Sequence, residues 1–127
     1  MWMSSAGHKF HPYNAPMEHL PHLPGAPAAV VLSERQRKHL KALAHALKPV
    51  IRLGNAGLTP AVLAETARAL EDHELIKAKA PGGDRESRDE LFTALARSTG
   101  SALVQRIGNV AVLYRPAPQP RILIPDR

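Results

Sequence analysis

The residues from Val50 to Pro60 constrain the fold more than any other part of the sequence. Val50-Ile51-Arg52-Leu53 predicts a short strand, and Gly54-Asn55-Ala56-Gly57 follows it directly. Thr59-Pro60 then predicts a helix start, because threonine caps free N–H groups and proline prefers the first helical position. A strand, a tight loop and a helix in this order require a sheet with a helix packed on it.

A first helix is predicted upstream of this unit. It begins at Ser33, which has the spacing of a capping box with Gln36, and Pro49 is expected to end it. Its predicted buried stripe recurs at helical spacing and consists of Leu40, Leu43, Ala44 and Leu47. Basic side chains and one histidine lie along another side: Lys38, Lys41, His45 and Lys48.

The second helix is expected to end near His73, and four further elements follow. Residues 75–80 alternate between apolar side chains and lysines, which predicts a strand. A third helix is predicted over residues 84–98, and residues 102–107 and 110–114 predict a hairpin around Gly108-Asn109. Strands joined through helices are expected to pair in parallel. The predicted fold is therefore α/β, more narrowly α+β, with a mixed four-stranded sheet and three helices in the order αβαβαββ.

Prolines divide the chain into a central domain and two ends. Five of the 12 prolines fall within the first 30 residues, and four more follow residue 115. Proline at this density blocks helices and sheet ladders. We expect residues 1–30 to be a flexible tail rich in proline and histidine, residues 31–116 to be the domain, and residues 117–127 to be an extended C-terminal tail.

The charge balance favours a polyanionic partner. The chain has 17 Lys and Arg against 11 Asp and Glu, a net charge of +6, and a pI of about 10.2. It has no cysteine, which excludes disulfides, thiolate nucleophiles and cysteine-bound zinc. No apolar run approaches the roughly 20 residues of a membrane helix. We expect a cytoplasmic monomer that does not contact a membrane.

The Gly54-Asn55-Ala56-Gly57 loop is the sharpest functional feature. Glycines let a ligand approach the backbone closely, and the start of the following helix suits an anion such as phosphate. Taken alone, the loop is more often an ordinary turn, because asparagine and glycine are common in turns. It is not a mononucleotide P-loop, since no Gly-Lys-Ser/Thr follows it.

Basic residues around the loop favour an RNA-binding role. Residues 33–115 contain 14 Lys and Arg against 9 Asp and Glu, which gives a net charge of +5 in the predicted domain. The candidate RNA-contacting residues are Gly54, Asn55, Ala56, Gly57, Lys38, Lys41, Lys48, Arg52, Lys77 and Lys79. Phe92 is expected in the core, and Tyr114 could be exposed or packed. Backbone recognition with strong salt dependence is therefore expected, rather than an aromatic stacking platform.

No enzyme signature is found. The sequence lacks His-Glu-x-x-His, Gly-x-Ser-x-Gly and cysteine, and the acidic residues from Asp84 to Glu90 suit the start of a helix. His8 with His11 and His19 with His22 could catch a stray metal ion, but a flexible tail offers no fixed geometry. We therefore predict no catalytic residue, no metal and no cofactor.

Several segments in register resemble the YhbY-like, CRM-domain family. They cover Leu32 to about Pro116 in order and are Leu40-Lys41-Ala42-Leu43-Ala44-His45, Lys48-Pro49-Val50, Leu53-Gly54-Asn55-Ala56-Gly57-Leu58-Thr59, His73-Glu74-Leu75-Ile76-Lys77-Ala78-Lys79, Gly108, and Val112-Leu113-Tyr114-Arg115-Pro116. The residues that match the family's RNA-facing positions are Gly54, Gly57, Lys41, Lys48, Lys77 and Lys79. The resemblance implies a fold like the C-terminal domain of bacterial translation initiation factor three.

The resemblance also implies a function. Stand-alone bacterial members of such a family are expected to bind precursors of the large ribosomal subunit, and related domains in plant organelles serve intron splicing. The leading hypothesis is a ribosome-assembly factor that contacts ribosomal RNA. The alternative is a protein-interaction module that binds a ribosomal protein or assembly factor through an uncovered sheet face, without RNA contact. An undetected hydrolase is a third hypothesis and has no candidate residues.

Overall fold

The computed structural model describes residues 30–126, which form three helices and a four-stranded sheet. The elements are α1 (Glu34–Ala44), β1 (Pro49–Arg52), α2 (Pro60–His73), β2 (Leu75–Lys79), α3 (Arg85–Thr99), β3 (Ala102–Ile107) and β4 (Val110–Tyr114). The predicted α+β fold with its element order αβαβαββ is therefore confirmed. The proline cluster and the His-x-x-His pairs lie outside the described residues. The division into a domain and two tails stays a prediction.

Helix α1 begins where it was predicted and ends earlier. The Gln36 N–H donates to the Ser33 hydroxyl (3.1 Å) and the Ser33 N–H donates to the Gln36 side-chain oxygen (3.0 Å), which completes the capping box. At the other end, the Leu47 N–H donates to the Ala44 carbonyl (2.9 Å). This i→i−3 spacing tightens the backbone beyond Ala44, so the helix ends before it reaches Pro49.

The predicted apolar stripe of α1 is only half buried. Leu40 and Ala44 pack against the sheet, whereas Leu43 is 41% exposed and Leu47 is 37% exposed. Leu47 follows the end of the helix, so helical spacing no longer sets its direction. Both leucines line an apolar groove beside Val50. The prediction that they are buried was wrong.

The strands are ordered β1-β2-β4-β3 across the sheet. β1 and β2 form a parallel pair, and β4 forms antiparallel pairs with both β2 and β3. Parallel pairing of strands joined through a helix is confirmed for β1 and β2 and was wrong for β2 and β3. The chain turns back at Gly108-Asn109, where Gly108 has a φ of +59°, and β4 takes the place between them.

Alternation along β2 assigns the two faces of the sheet. Ile76 and Ala78 pack with α2 and α3, in the same core cluster as Phe92. Leu75 packs on the opposite face with α1, in a cluster that includes Tyr114. We call this opposite face, which carries Lys77 and Lys79 and is partly covered by α1, the lysine face. Phe92 and Tyr114 are both buried, so neither offers a stacking surface.

The segment after β4 is anchored by one buried carboxylate. Glu74 is the C-cap of α2 with a φ of +66°, and its carboxylate accepts hydrogen bonds from the N–H groups of Ala117, Arg121 and Ile122. The Gln36 amide also donates to the Pro125 carbonyl (2.9 Å). Residues beyond β4 therefore run back toward α1, and the face that was expected to be uncovered carries both α1 and this segment. Among the described residues, no helix is long and apolar enough to cross a membrane.

Candidate nucleic-acid interface

The Gly54–Gly57 loop is an exposed turn between two buried leucines. The Gly57 N–H donates to the Gly54 carbonyl (3.0 Å), and Gly57 has a φ of +75° that favours glycine. Leu53 and Leu58 on either side belong to the core formed with α2 and α3. Gly54, Asn55 and Ala56 are exposed. The core therefore holds both ends of the loop while its tip faces solvent.

The start of α2 has fewer free donors than an average helix start. Thr59 is the predicted N-cap, and its hydroxyl accepts from the Val62 N–H (3.1 Å). Pro60 occupies the first helical position and has no N–H. An anion at this end would therefore interact mainly with the helix dipole and with the exposed groups of the loop.

Three loops meet at one end of the sheet, which we call the loop end. β1 and β2 are parallel, so the Gly54–Gly57 loop and residues 81–83 follow strands that finish side by side. The Leu53 N–H donates to the Lys79 carbonyl (2.8 Å). The turn of the final hairpin joins them, because the Ala80 N–H donates to the Asn109 carbonyl (2.8 Å) and the Asn109 amide donates to the Ala80 carbonyl (2.8 Å).

Two of the predicted RNA-contacting cations stand beside the Gly54–Gly57 loop. Arg52 and Lys79 are paired in register across β1 and β2, and both side chains are exposed on the lysine face. Their strand neighbours Ile51 and Ala78 point into the core on the other face. The parallel pairing therefore places two positive charges next to the residue at which the loop begins.

A second pair of the predicted cations lines one pocket. This pocket of about 230 Å³ lies between α1 and the lysine face, and its lining includes Lys41 and His45 of α1, Lys77 of β2 and Gln105 of β3. The Lys77 ammonium donates to the Leu47 carbonyl (2.9 Å), which fixes its position and leaves it two further N–H donors.

The remaining predicted cations lie further from the loop. Lys38 is exposed on α1, one turn before Lys41 and so further along the helix from the pocket. Lys48 precedes β1, whereas the loop follows β1, and Lys48 lines the apolar groove with His73 instead. Arg37, another cation of α1, is already engaged, because its guanidinium donates to the carbonyls of Leu103 and Val104 (2.7 and 2.8 Å).

One polar residue of the pocket was not singled out from the sequence. The register of β3 against β4 shifts between Leu103 and Gln105. Leu103 packs toward α2 and α3, but Val104 packs with α1, and Gln105 also turns to the lysine face. Strict alternation would place Gln105 on the same face as Leu103, so sequence periodicity alone gives the wrong face.

Comparisons with known proteins identify the family of the domain. The family model of the CRS1 / YhbY (CRM) domain matches residues 32–115. An "RNA-binding protein" of Haemophilus influenzae is 50% identical over 96 residues, which cover 76% of this chain and 97% of the relative. A "Probable RNA-binding protein" of Pseudomonas aeruginosa is 45% identical over 91 residues, which cover 72% of this chain and 88% of the relative.

A solved structure supports the same assignment. The solution structure of a hypothetical protein from Staphylococcus aureus matches with a TM-score of 0.67 and 31% sequence identity, over 75% of this chain and 100% of that chain. The family model covers the whole span from the start of the α1 cap to the end of β4. The chain belongs to the CRS1 / YhbY (CRM) domain family.

Proposed function

We propose that this protein binds RNA and acts as a ribosome-assembly factor that contacts ribosomal RNA of the large-subunit precursor. The observation that carries the proposal is the loop end, where the exposed Gly54–Gly57 loop lies beside the paired cations Arg52 and Lys79. The proposed protein is a cytoplasmic monomer that needs no cofactor and performs no chemistry on its RNA.

The loop end suits the phosphate backbone for a steric and an electrostatic reason. A side chain is missing at Gly54, and apart from Gly54 and its two chain neighbours no residue has an atom within 4 Å of where its Cβ would be, so a phosphate can approach the backbone. Arg52 and Lys79 supply charge on the same face. Because Thr59 and Pro60 leave few free N–H groups on α2, these side chains are expected to provide much of the affinity and a strong salt dependence.

The basic surface continues from the loop end along the lysine face. Lys77 lies on β2 two residues before Lys79, and Lys41 of α1 lines the same pocket as Lys77. Lys38 extends the charge by one more helical turn. The names of the relatives from H. influenzae and P. aeruginosa support an RNA partner. The ribosomal part of the proposal rests on the family resemblance.

A single glycine substitution tests the role of the loop. Gly54→Glu adds a negative charge where the Cβ meets no other atom, so the fold should be retained. Ala64→Glu adds the same charge on the exposed side of α2 and serves as the matched control. We expect Gly54→Glu to weaken binding to transcribed large-subunit ribosomal RNA by about tenfold or more at low salt, because it repels phosphate. Equal affinities for the two variants would remove the loop from the interface.

Crosslinking in cells tests the identity of the RNA. The wild-type chain and Gly54→Glu are each crosslinked, and the bound RNA is sequenced. We expect wild-type reads to concentrate in ribosomal RNA of the large subunit and to decline in the variant. Reads that spread over other RNA classes would contradict the ribosomal assignment while leaving RNA binding intact.

An apolar groove favours the alternative, a protein-interaction module. Leu43, Leu47 and Val50 are partly exposed around a cavity of about 490 Å³ at the opposite end of the sheet from the loops. If a ribosomal protein or assembly factor binds there instead of RNA, Val50→Asp should abolish association with pre-ribosomal particles, and Gly54→Glu should have no effect. The reverse result supports RNA binding.

A further inference from the structure

We propose that the pocket between α1 and the lysine face receives one unpaired nucleotide and reads its base. This inference rests on the proposed RNA binding and adds a source of sequence preference to it. The Gly54–Gly57 loop and its cations contact phosphate, which is the same in every nucleotide. A side-chain pocket beside them is the part of this surface that can distinguish bases.

The dimensions of the pocket limit its occupant. Its volume is about 230 Å³. This lies below the roughly 300–1,000 Å³ of pockets that hold drug-sized ligands, so the occupant is a small ring system. A single base that has left its stack has this size, and proteins that recognise RNA by sequence commonly bind such splayed bases. A base paired within a helix cannot enter a pocket of this kind.

The floor of the pocket is apolar and open. Ile107 is 63% exposed, and Val110 and Val112 lie beside it on the neighbouring strand. The described residues therefore leave most of the Ile107 side chain in contact with solvent. The face of a nucleobase would cover the isoleucine and would remove apolar surface from water on both partners.

The rim of the pocket supplies hydrogen-bonding groups of the right kind. The Gln105 side chain carries two N–H donors and an acceptor oxygen, and no hydrogen bond engages it within residues 30–126. A primary amide can pair with an adjacent donor and acceptor on a base edge. Lys41, His45 and Lys77 also line the pocket, and no acidic side chain does. The phosphates that flank a bound base would therefore meet positive charge.

A β-bulge produces this arrangement. The register shift between Leu103 and Gln105 turns Gln105 and Ile107 away from the α2 and α3 side and onto the lysine face. The Arg37 guanidinium donates to the carbonyls of Leu103 and Val104 where the shift occurs, so α1 holds the bulged strand in place. Helix α1 therefore both holds the bulge through Arg37 and lines the pocket through Lys41 and His45.

The pocket is continuous with the loop end. Val110 pairs with Lys79 and with Ile107, and the Gly108-Asn109 turn between the two hairpin strands is hydrogen-bonded to Ala80. An RNA strand whose phosphates contact Lys79 therefore passes the mouth of the pocket. One nucleotide of that strand can turn inward without leaving the phosphate contacts.

The test compares RNA probes that differ only in their bases. The probes are fluorescein-labelled 12-nucleotide strands of oligo(A), oligo(U), oligo(C) and an abasic strand, titrated with the full chain at low salt. The variants are Gln105→Met, which keeps the length of the side chain and removes its amide, and Ile107→Asp. Leu123→Asp is the matched control, because Leu123 is an exposed aliphatic residue outside the pocket. Circular dichroism checks that each variant is folded.

We expect the wild-type protein to prefer one base over the abasic strand by about tenfold, the scale of one or two hydrogen bonds with apolar contact. Gln105→Met should reduce the preference among bases to about twofold while affinity for the abasic strand stays unchanged. Ile107→Asp should weaken binding to the preferred base more than Leu123→Asp does. Equal wild-type affinity for all four probes together with no response of the Gln105 side-chain amide to guanosine monophosphate, or an unchanged preference in Gln105→Met, would overturn the inference.

The variant Gly54→Glu separates this inference from the proposed function. If Gly54→Glu weakens binding to every probe and Gln105→Met changes no preference, RNA binding stands and the base pocket fails. If Gly54→Glu changes nothing while Gln105→Met removes a base preference, the pocket binds bases and the role of the loop fails. Nuclear magnetic resonance gives a second measurement, since a nucleoside monophosphate should shift the Gln105 side-chain amide signal. An amide signal that does not move with any of the four monophosphates contradicts the pocket.

Discussion

Replacement of Glu74 by glutamine should destabilise the protein strongly, although the two side chains have nearly the same shape. Glu74 is fully buried and adopts a φ of +66°, a conformation that favours glycine. Its carboxylate accepts hydrogen bonds from the N–H groups of Ala117 (2.7 Å), Arg121 (3.0 Å) and Ile122 (2.8 Å). A residue with an unfavourable backbone conformation is tolerated here because its side chain holds the C-terminal segment against α1.

The magnitude follows from the charge of the acceptor. A hydrogen bond to a charged group contributes about 1.5–3 kcal/mol, and a bond between neutral groups contributes about 0.5–1.5 kcal/mol. The Arg121 and Ile122 N–H groups share one carboxylate oxygen and the Ala117 N–H uses the other. In Glu74→Gln the remaining oxygen can keep two bonds as neutral ones, at a loss of about 1 kcal/mol each, while the third N–H loses its acceptor at a cost of about 1–3 kcal/mol. The free energy of unfolding should therefore fall by about 3 kcal/mol or more. The glutamine NH2 group presents its own N–H donors to that third backbone N–H, which adds to the loss.

Urea denaturation measures this difference, with Glu71→Gln as the control. The Glu71 side chain is 71% exposed, and its carboxylate lies 3.9 Å from the Arg115 guanidinium. Arg115 is buried, but the Glu71 carboxylate is solvated and stands at 3.9 Å, so this pair should contribute only about 1 kcal/mol. We expect the midpoint of Glu74→Gln to fall well below those of the wild type and Glu71→Gln, at a similar slope. A Glu74→Gln midpoint equal to that of Glu71→Gln would refute the reasoning.

The Glu74 carboxylate also makes the stability difference between the wild type and Glu74→Gln depend on pH. Burial by itself raises the pKa of Glu74, but the N–H groups of Ala117, Ile122 and Arg121 outweigh it and hold the pKa below the ordinary value of 4.5. Because the unfolded chain binds the proton more readily, the stabilisation is complete above pH 4.5 and is lost as the pH falls through the lower pKa of the folded state. The gap between the wild type and Glu74→Gln should therefore narrow below pH 4.5.

Three further variants test other parts of the structure. Lys79→Gln should reduce the slope of log affinity against log salt by about 1 for RNA binding, measured by anisotropy over a salt series, if Lys79 contacts a phosphate. Gly57→Ala should lower the urea midpoint by an amount equivalent to about 1 kcal/mol because Gly57 has a φ of +75°, while Gly54→Ala should stay near the wild type. Burial, and then the charge of Glu74, raise the pKa of Tyr114. The neutral phenol therefore adds to the stability of the fold below pH 10.0, and this stabilisation is lost as the pH rises above it. Tyr114→Phe should therefore lose less stability than the wild type above pH 10.0, and equal losses would contradict this explanation.

Local chemistry predicted the elements of the fold, and long-range packing decided the rest. The Ser33 capping box, the Thr59-Pro60 helix start and the Gly108-Asn109 turn each act within a few residues, and the structure has all three. The end of α1 at Ala44 was missed, because the backbone tightens without a proline or glycine at that position. The strand order was also missed, since no local pattern indicates that β4 inserts between β2 and β3.

The candidate site shows the same limit of sequence patterns. The loop was visible because its two glycines lie within four consecutive residues. The pairing of Arg52 with Lys79 required the register of β1 against β2, which no spacing within either strand specifies. Gln105 was still harder to identify from the sequence, because a bulge reverses the face of the sheet that alternation assigns to it. Residues brought together by register and bulges are therefore those that a periodic pattern is least able to find.

The placement of Lys48 bears on how RNA could lie across the protein. Lys48 and the Gly54–Gly57 loop were predicted to act together, yet all four residues of β1 stand between them. At about 3.3 Å per strand residue the separation exceeds the Debye length of about 10 Å at 0.1 M salt, so a phosphate at the loop is screened from Lys48. Lys48 can therefore contribute only if the RNA extends along the sheet from the loop end toward the apolar groove, whereas Arg52 and Lys79 can contact phosphate at the loop itself. A short RNA would be held at the loop end, and its affinity should not depend on Lys48. The RNA length at which replacement of Lys48 begins to lower the affinity therefore shows how far the interface extends from the loop end.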